Sequence, residues 1–457
     1  MIKSHYRRLA LGALALGLVA TEALAADPLG ALVKETLARN TSLQASRFAE
    51  RRAAAERTAA LTQWLPSLRV ESRASRLHDV QDLGDFVNPA YSALNQLLGT
   101  PAFPTDLSLT LPRAHETHVR VTQPIVSEPL RASVSLAGAE LAGERAALRA
   151  SARRLAAEVQ LAWLSAASAE RLVGVQEAAL ALVREHERVS ERLLAAGQVT
   201  PEAVHRARAD RASVEQALAD ARERVSAATR ELARIAGRSP DAPLDAVPDS
   251  VFERPLEQTA EQAVHSALTR REELAQAAQG ERAAGAGVRI ATGSSLPSLS
   301  GAVDVAWLAD DWTLDERDRS WTASLVASWD LFQGGTALAR RAAARAELER
   351  ARLATRDAEE RITVEVLNAH EAARVAYAAL ATSRVRAEAA RRTYVLVARR
   401  YEEGAASPLE LTEARSLLTT ADSDQILTLY RYAQRGVELE RTAAWRELPT
   451  LEKGTRP

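Results

Sequence analysis

The chain has 457 residues, 59 Lys and Arg against 60 Asp and Glu, no Cys, one Met and 4% aromatic residues. Without Cys there can be no disulfide scaffold, cysteine nucleophile, thiolate metal site or lipidated N-terminal Cys, and the balanced charge gives no overall field for nucleic acid. An apolar fraction of 47%, carried mainly by Ala and Leu, predicts long helices rather than compact cores.

Residues 1–25 read as an export signal. Lys3, Arg7 and Arg8 form a basic start, Leu9 to Ala20 is apolar, and Ala23-Leu24-Ala25 is a small-x-small cleavage site. The apolar stretch is shorter than the roughly 20 residues a spanning helix needs. Charges interrupt every later apolar segment, so no transmembrane helix is predicted.

Residues 26–236 form a first unit. A helical stretch over 28–63 ends at Leu65-Pro66-Ser67-Leu68, where Pro cannot continue it. Two strands are predicted next, since Val70 and Ala74 alternate with Arg69, Glu71 and Arg73, and Val119 and Val121 with His118, Arg120 and Thr122. Between them Leu77 to Glu116, rich in Pro, Asn, Asp and Gly, reads as a loop. His115 and His118 fall on opposite strand faces, which argues against a metal site. Arg131 to Ala196 then runs 66 residues without Pro, about 100 Å as a single helix. Val175, Leu182, Val189 and Ala196 recur at sevens, with Leu172, Ala179, His186 and Leu193 between them, which is a coiled-coil seam with His186 packed in it. Gly197 stops the helix, Thr200 and Pro201 start the next, and 202–235 returns.

Residues 237–256 are a Pro- and Asp-rich linker. Residues 257–446 repeat the order: a helical stretch over 257–288, Leu296-Pro297-Ser298-Leu299, and a strand with Leu299, Val303, Val305 and Trp307 opposite Ser300 and Asp304. A second strand over Ser320 to Asp330 carries Trp321, Ala323, Leu325, Ala327 and Trp329 on one face, with Val326 the exception on the other. A long helix over Gly335 to Glu403, a turn over Gly404 to Pro408, and a return from Leu409 to about Trp445 follow; 447–457 is a tail. Leu37, Leu43 and Leu-Pro-Ser-Leu match Leu268, Leu274 and Leu-Pro-Ser-Leu at an offset of 231. From Val119 onward the offset is 207, pairing Val119 with Val326, Gly197 with Gly404 and Ala207-Arg208 with Ala414-Arg415. The difference, 231 minus 207, gives the first copy 24 extra residues between its strands.

Trp321 and Trp329 lie eight residues apart on one face, about 27 Å along a strand and roughly 20 Å of membrane depth once tilted. Such a strand fits an apolar band with aromatic girdles, and the polar opposite faces fit a water-filled lumen. Four strands cannot close a barrel and open edges cannot stand in lipid, so several chains must contribute.

The export signal, the tandem strand-strand-helix-helix order, Leu-Pro-Ser-Leu before each first strand, Trp329-Asp330-Leu331-Phe332-Gln333-Gly334-Gly335 and Tyr401-Glu402-Glu403-Gly404-Ala405-Ala406-Ser407-Pro408 together resemble the TolC family of outer-membrane efflux channels. The resemblance covers nearly all of the chain after the signal. It implies a fold that is mainly α with a small membrane β part: a homotrimer sharing a 12-stranded β-barrel that continues into a coiled-coil α-helical tunnel, with the linker and tail in an equatorial belt. It implies residence in the Gram-negative outer membrane, in contact with its lipid and reaching into the periplasm. The function implied is passive export, coupled to an inner-membrane transporter through a periplasmic adaptor, without cofactor. The 77–116 loop becomes extracellular. Gly197, Thr200, Pro201, Gly404, Ser407 and Pro408 match the adaptor-contacting helix tips, and Trp307, Trp321 and Trp329 the barrel girdle. Glu410 and Glu413 match acidic positions facing the pore, and Tyr401 an aromatic gate position. Ala406 departs from the basic gate residue of the best-known branch. Glu410 reads equally well as a first-turn carboxylate favoured by the helix dipole.

No HExxH, GxSxG, P-loop or dinucleotide fingerprint is present, which argues against an enzyme. The competing reading is a secreted or periplasmic coiled-coil or adaptor protein without a channel, which would need neither a duplicated strand pair nor a Trp-flanked strand.

Overall fold

A computed structural model describes residues 28–76, 78, 82–108, 115–242, 254–309, 312 and 314–448. The expected export signal lies outside them, as do 243–253 of the linker and 449–457 of the tail.

The first copy comprises α1 (Pro28–Arg39), α2 (Thr41–Thr62), β1 (Ser67–Ala74), α3 (Gly84–Leu98), β2 (His115–Val126), α4 (Glu128–Ala195) and α5 (Pro201–Ala236). The second comprises α6 (Ala260–Arg270), α7 (Glu272–Gly293), β3 (Ser298–Ala309), β4 (Arg319–Ser328), α8 (Thr336–Glu402) and α9 (Pro408–Ala443). The expected loop over 77–116 thus contains a helix, α3. The last strand is shifted: β4 begins one residue before Ser320 and stops at Ser328, leaving Trp329 just past its end.

α4 and α8 have 68 and 67 residues, each roughly 100 Å long, and each pairs with a 36-residue return helix. Helices this long cannot surround a compact core, so buried residues form a chain of small clusters along the hairpins. The largest joins α1, α2, α4, α5 and α9 around Leu43, Val159, Trp163, Leu164 and Tyr430. A second joins α6, α8 and α9 around Ala263, Ile362, Val366 and Leu439. Ala recurs at buried positions of α4, which lets its neighbours approach closely. Buried and half-buried ion pairs tie the same level: Arg153 makes two hydrogen bonds to Glu272, and Arg271 and Arg441 share Glu365.

The duplication extends to side-chain contacts. Arg145 of α4 pairs with Glu50 of α2 at 2.9 Å, and Arg352 of α8 pairs with Glu281 of α7 at 3.3 Å. These residues are related by the offsets 207 (352 − 145) and 231 (281 − 50) read from the sequence. α7 packs extensively on both α4 and α8, whereas among the described residues its counterpart α2 packs extensively on one long helix, α4.

The four strands form one antiparallel sheet in the order β1-β2-β3-β4, with β1 and β4 as free edges. Ser67 lies opposite Thr122, and Ser298 opposite Ser328. Within the strands the second offset is therefore 206 (328 − 122), not 207. Thr122 lies 75 residues before Gly197 and Ser328 lies 76 before Gly404, so the second copy carries one more residue between strand and hairpin tip; separately, β2 has a bulge between Pro124 and Val126. Val119 and Val326, equated by the ungapped repeat, consequently face opposite sides, and Val326 stands as an apolar residue on the polar face.

Candidate functional site

Two places concentrate chemistry: the sheet at one end of the helices and the hairpin tips at the other. Because directly paired residues share a face, the register sorts the whole sheet. One face carries Leu68, Val70, Val119, Val121, Val303, Val305, Trp307, Trp321, Ala323 and Leu325. The other carries Arg69, Glu71, Arg73, Glu116, His118, Arg120, Asp304, Thr322 and Ser324. Neither face of β1 or β4 is covered by other described residues.

The polar face is cross-linked by charge. Arg73 pairs with Glu116, and Asp304 accepts hydrogen bonds from Arg120 Nε at 2.6 Å and His118 Nδ1 at 3.0 Å. His115 lies on the apolar face, its ring 4.6 Å from that of Trp312. The three expected girdle residues occupy both ends of the apolar face. Trp307 and Trp321 are near the helix-distal end; Trp329, at the helix-proximal end, donates its indole N–H to Ser295 O at 3.0 Å. Among the described residues no helix is long and apolar enough to cross a membrane.

The hairpin tips are built alike. Gly197 and Gly404 have φ of +70° and +74°, the left-handed region that a side chain disfavours. Each closes a double turn: Gln198 N donates to Leu193 O at 2.9 Å, and Ala405 N to Arg400 O at 2.7 Å. Thr200 and Ser407 begin the return helices, with Pro201 and Pro408 in the first turn. Ser407 and Glu410 form a reciprocal capping box, Glu410 N to Ser407 Oγ at 3.2 Å and Ser407 N to Glu410 Oε1 at 3.4 Å. Glu410 thus has the helix-start role the sequence left open, and Arg400 lies 3.8 Å from its other oxygen. Glu410 and Glu413 are exposed, while Leu411, Ala414, Arg415 and Leu418 form the buried face of α9.

Tyr401 departs from its expected place at the constriction. It is buried inside the protomer, its hydroxyl 2.9 Å from Ser190 Oγ and its ring edge-on to His186 with centroids 5.3 Å apart. The cause is local packing: Val189, Leu193 and Leu411 close around the ring, joining the two hairpins near their tips. Beside them Arg415 donates to Asp210 at 2.7 Å, tying α9 to α5, with both side chains nearly buried. Glu187 of α4 accepts from Arg208 and Arg211 of α5 at 3.2 and 2.8 Å. Burial pushes the His186 imidazole below its ordinary value, Arg415 adding to this and Asp210 opposing it. The Asp210–Arg415 pair went unrecognised in the sequence, although the repeated Ala207-Arg208 and Ala414-Arg415 carried the signal. The two arginines are equivalents that found different carboxylates.

A duplicated strand pair with one apolar and one charged face, carried on two helical hairpins about 100 Å long, is the build of a channel protomer that enters a membrane by strands. The chain belongs to the outer membrane efflux protein family, whose model matches residues 32–238 and 263–444. The fold is similar to that of the outer-membrane channel OprN, with a TM-score of 0.74 at 20% identity over 93% of this chain and 91% of that one. It is similar also to CusC (TM-score 0.78, 16% identity, 91% of each chain) and to the Vibrio cholerae outer membrane protein VceC (0.74, 18%, 91% of this chain and 96% of that one). No curated protein matches this chain in sequence.

Proposed function

We propose that three copies of this chain form a passive export conduit through the outer membrane, coupled by a periplasmic adaptor to an inner-membrane transporter. The observation that carries the proposal is the open sheet, whose apolar face and two free edges have no partner within the described residues. Two copies would give eight strands, a barrel whose interior side chains fill. Three give twelve and leave room for the Arg, Glu and His side chains to line water.

The helices support the same closure. Leu353, Val364, Val375, Val385 and Leu396 of α8 are each more than half exposed and lie 11, 11, 10 and 11 residues apart, one nearly straight stripe. Among the described residues α2 lacks the second extensive long-helix neighbour that its counterpart α7 has, and its Phe48 is 62% exposed. By the internal repeat, α2 of one copy fits against α8 of the next as α7 fits against α4.

The repeat also supplies a seam register. Val121 lies opposite Val303 in the chain; offsets of 206 and 231 turn this pair into Ala327 opposite Ser72 of the neighbouring copy. The girdle tryptophans would then meet the headgroup levels of the outer-membrane lipid, and an N-terminal signal without lipidation would deliver the chain. The tips around Gly197, Thr200, Pro201, Gly404, Ser407 and Pro408 would meet the adaptor. Three copies of Glu410 and Glu413 would concentrate negative charge at the narrow end and draw cations to it.

Cross-linking tests the assembly. Ser72→Cys with Ala327→Cys, in a chain with no other Cys, should yield a covalent trimer in outer-membrane vesicles. In bilayers that trimer should conduct with a cation preference that Glu410→Gln with Glu413→Gln reduces. A monomer at full oxidation would overturn the reading.

A further inference from the structure

The extra residues of the first copy fold into a lobe of their own. After α3 the arm 99–108 turns back along the helix and is held by two asparagines, each both donating and accepting. Asn88 Nδ2 donates to Leu107 O at 2.8 Å and its Oδ1 accepts from Leu107 N at 2.9 Å; Asn95 does the same with Phe103 at 2.7 and 2.8 Å. Tyr91 stacks on Phe103 with centroids 5.2 Å apart. Gly84 is required by this closure, because a Cβ there would lie 1.9 Å from Leu107 O. The lobe is therefore a preformed body, not slack chain.

Its outer side is apolar. Leu83, Phe86, Ala90, Leu94 and Leu97 follow one another at spacings of three and four, one helical face turned away from Asn88, Tyr91 and Asn95. Phe86 and Leu97 are 79% and 84% exposed. Among the described residues α3 makes no extensive contact with any other helix or strand of its own chain.

The barrel seam says what stands beside it. β1 runs toward the helix-distal rim, and β4 of the neighbouring copy, its partner at the seam, runs back from that rim. The lobe that follows β1 and the turn Glu316–Asp318 that precedes β4 of that copy therefore lie on the same side of one seam. Just before this turn Trp312 and Leu314 are 66% and 65% exposed. Lipid is a poor alternative occupant: 82–108 contains Asp82, Asp85 and Asp106 but no Lys or Arg, whereas interfacial helices favour a basic polar face.

We propose that the α3 lobe of each copy docks through Phe86, Leu94 and Leu97 on Trp312 and Leu314 of the neighbouring copy, making three clasps around the outer mouth. The inference rests on the trimeric reading above. Leu97→Cys with Leu314→Cys in the full chain, treated in outer-membrane vesicles with a flexible bismaleimide, should give covalent trimer. Adding Phe86→Asp should lower its yield severalfold. Linking between single Leu97→Cys chains would put the lobes on the pore axis, and quenching of a Leu97→Cys label by nitroxide lipid without cross-linking would put them in the membrane; either overturns the clasp. The Ser72→Cys with Ala327→Cys seam is the parallel control. If it links and the lobe pair does not, docking alone fails; if neither links, the trimeric reading fails with it.

Discussion

His186 shows how much one residue depends on its neighbours. It packs edge-on to Tyr401 where the two hairpins meet, and its Nε2 has no hydrogen-bond partner among the described residues. Burial first, and Arg415 second, lower its pKa against the opposing Asp210, so its protonation is disfavoured relative to the unfolded chain. Between the lowered folded value and about 6.5 the unfolded state binds more protons, so stability rises with pH and is lost as pH falls through that window. Each pH unit inside it costs up to about 1.4 kcal/mol. Hydrogen exchange of amides around Ser190 and Tyr401 should accelerate as pH drops from 7.5 toward 5, after correction for intrinsic rates. A His186→Gln chain should show a flatter profile. An unchanged slope in that variant would mean that His186 does not carry the effect.

At the element scale, α8 separates two kinds of apolar position. Val366 is wholly buried against α6 and α9, whereas Val364 and Val375 stand on the exposed stripe. Val364→Asp with Val375→Asp should leave the helicity of the chain intact and shift native mass from trimer toward monomer. Val366→Asp should instead unfold the local packing, since an unpaired buried charge costs several kcal/mol. Circular dichroism with native mass spectrometry distinguishes these outcomes. Periodicity made these long helices legible, and alternation revealed the strands. What escaped was set by contacts distant in sequence. α3 was hidden by Pro, Asn and Gly, because only the folded arm shows Asn88 and Asn95 bonding to Leu107 and Phe103. The bulge after Pro124 was hidden because it is set by pairing with Leu299 and Ser300 of β3, far off in the chain. Tyr401 looked like a gate residue since nothing local indicates that Ser190, some 200 residues earlier in the chain, will accept its company.

For the whole molecule the decisive property is that one sheet meets two solvents. Leu325 and Ser324 are adjacent near the middle of β4, yet the register puts Leu325 with Gly301 on the apolar face and Ser324 with Ala302 on the polar one. Both are exposed in the isolated protomer, so single-chain packing assigns similar costs to Arg at either position. A membrane barrel does not. Leu325→Arg would carry a guanidinium toward the bilayer midplane, a cost of about 2–4 kcal/mol per chain, while Ser324→Arg would enter water beside Asp304. In bilayer refolding against urea, Leu325→Arg should therefore lose most of its trimer at denaturant levels where Ser324→Arg remains assembled. The Ser324→Arg trimer should show lower cation preference, because three positive charges have joined its lumen. Equal losses at the two positions would mean that the faces do not meet lipid and water as assigned.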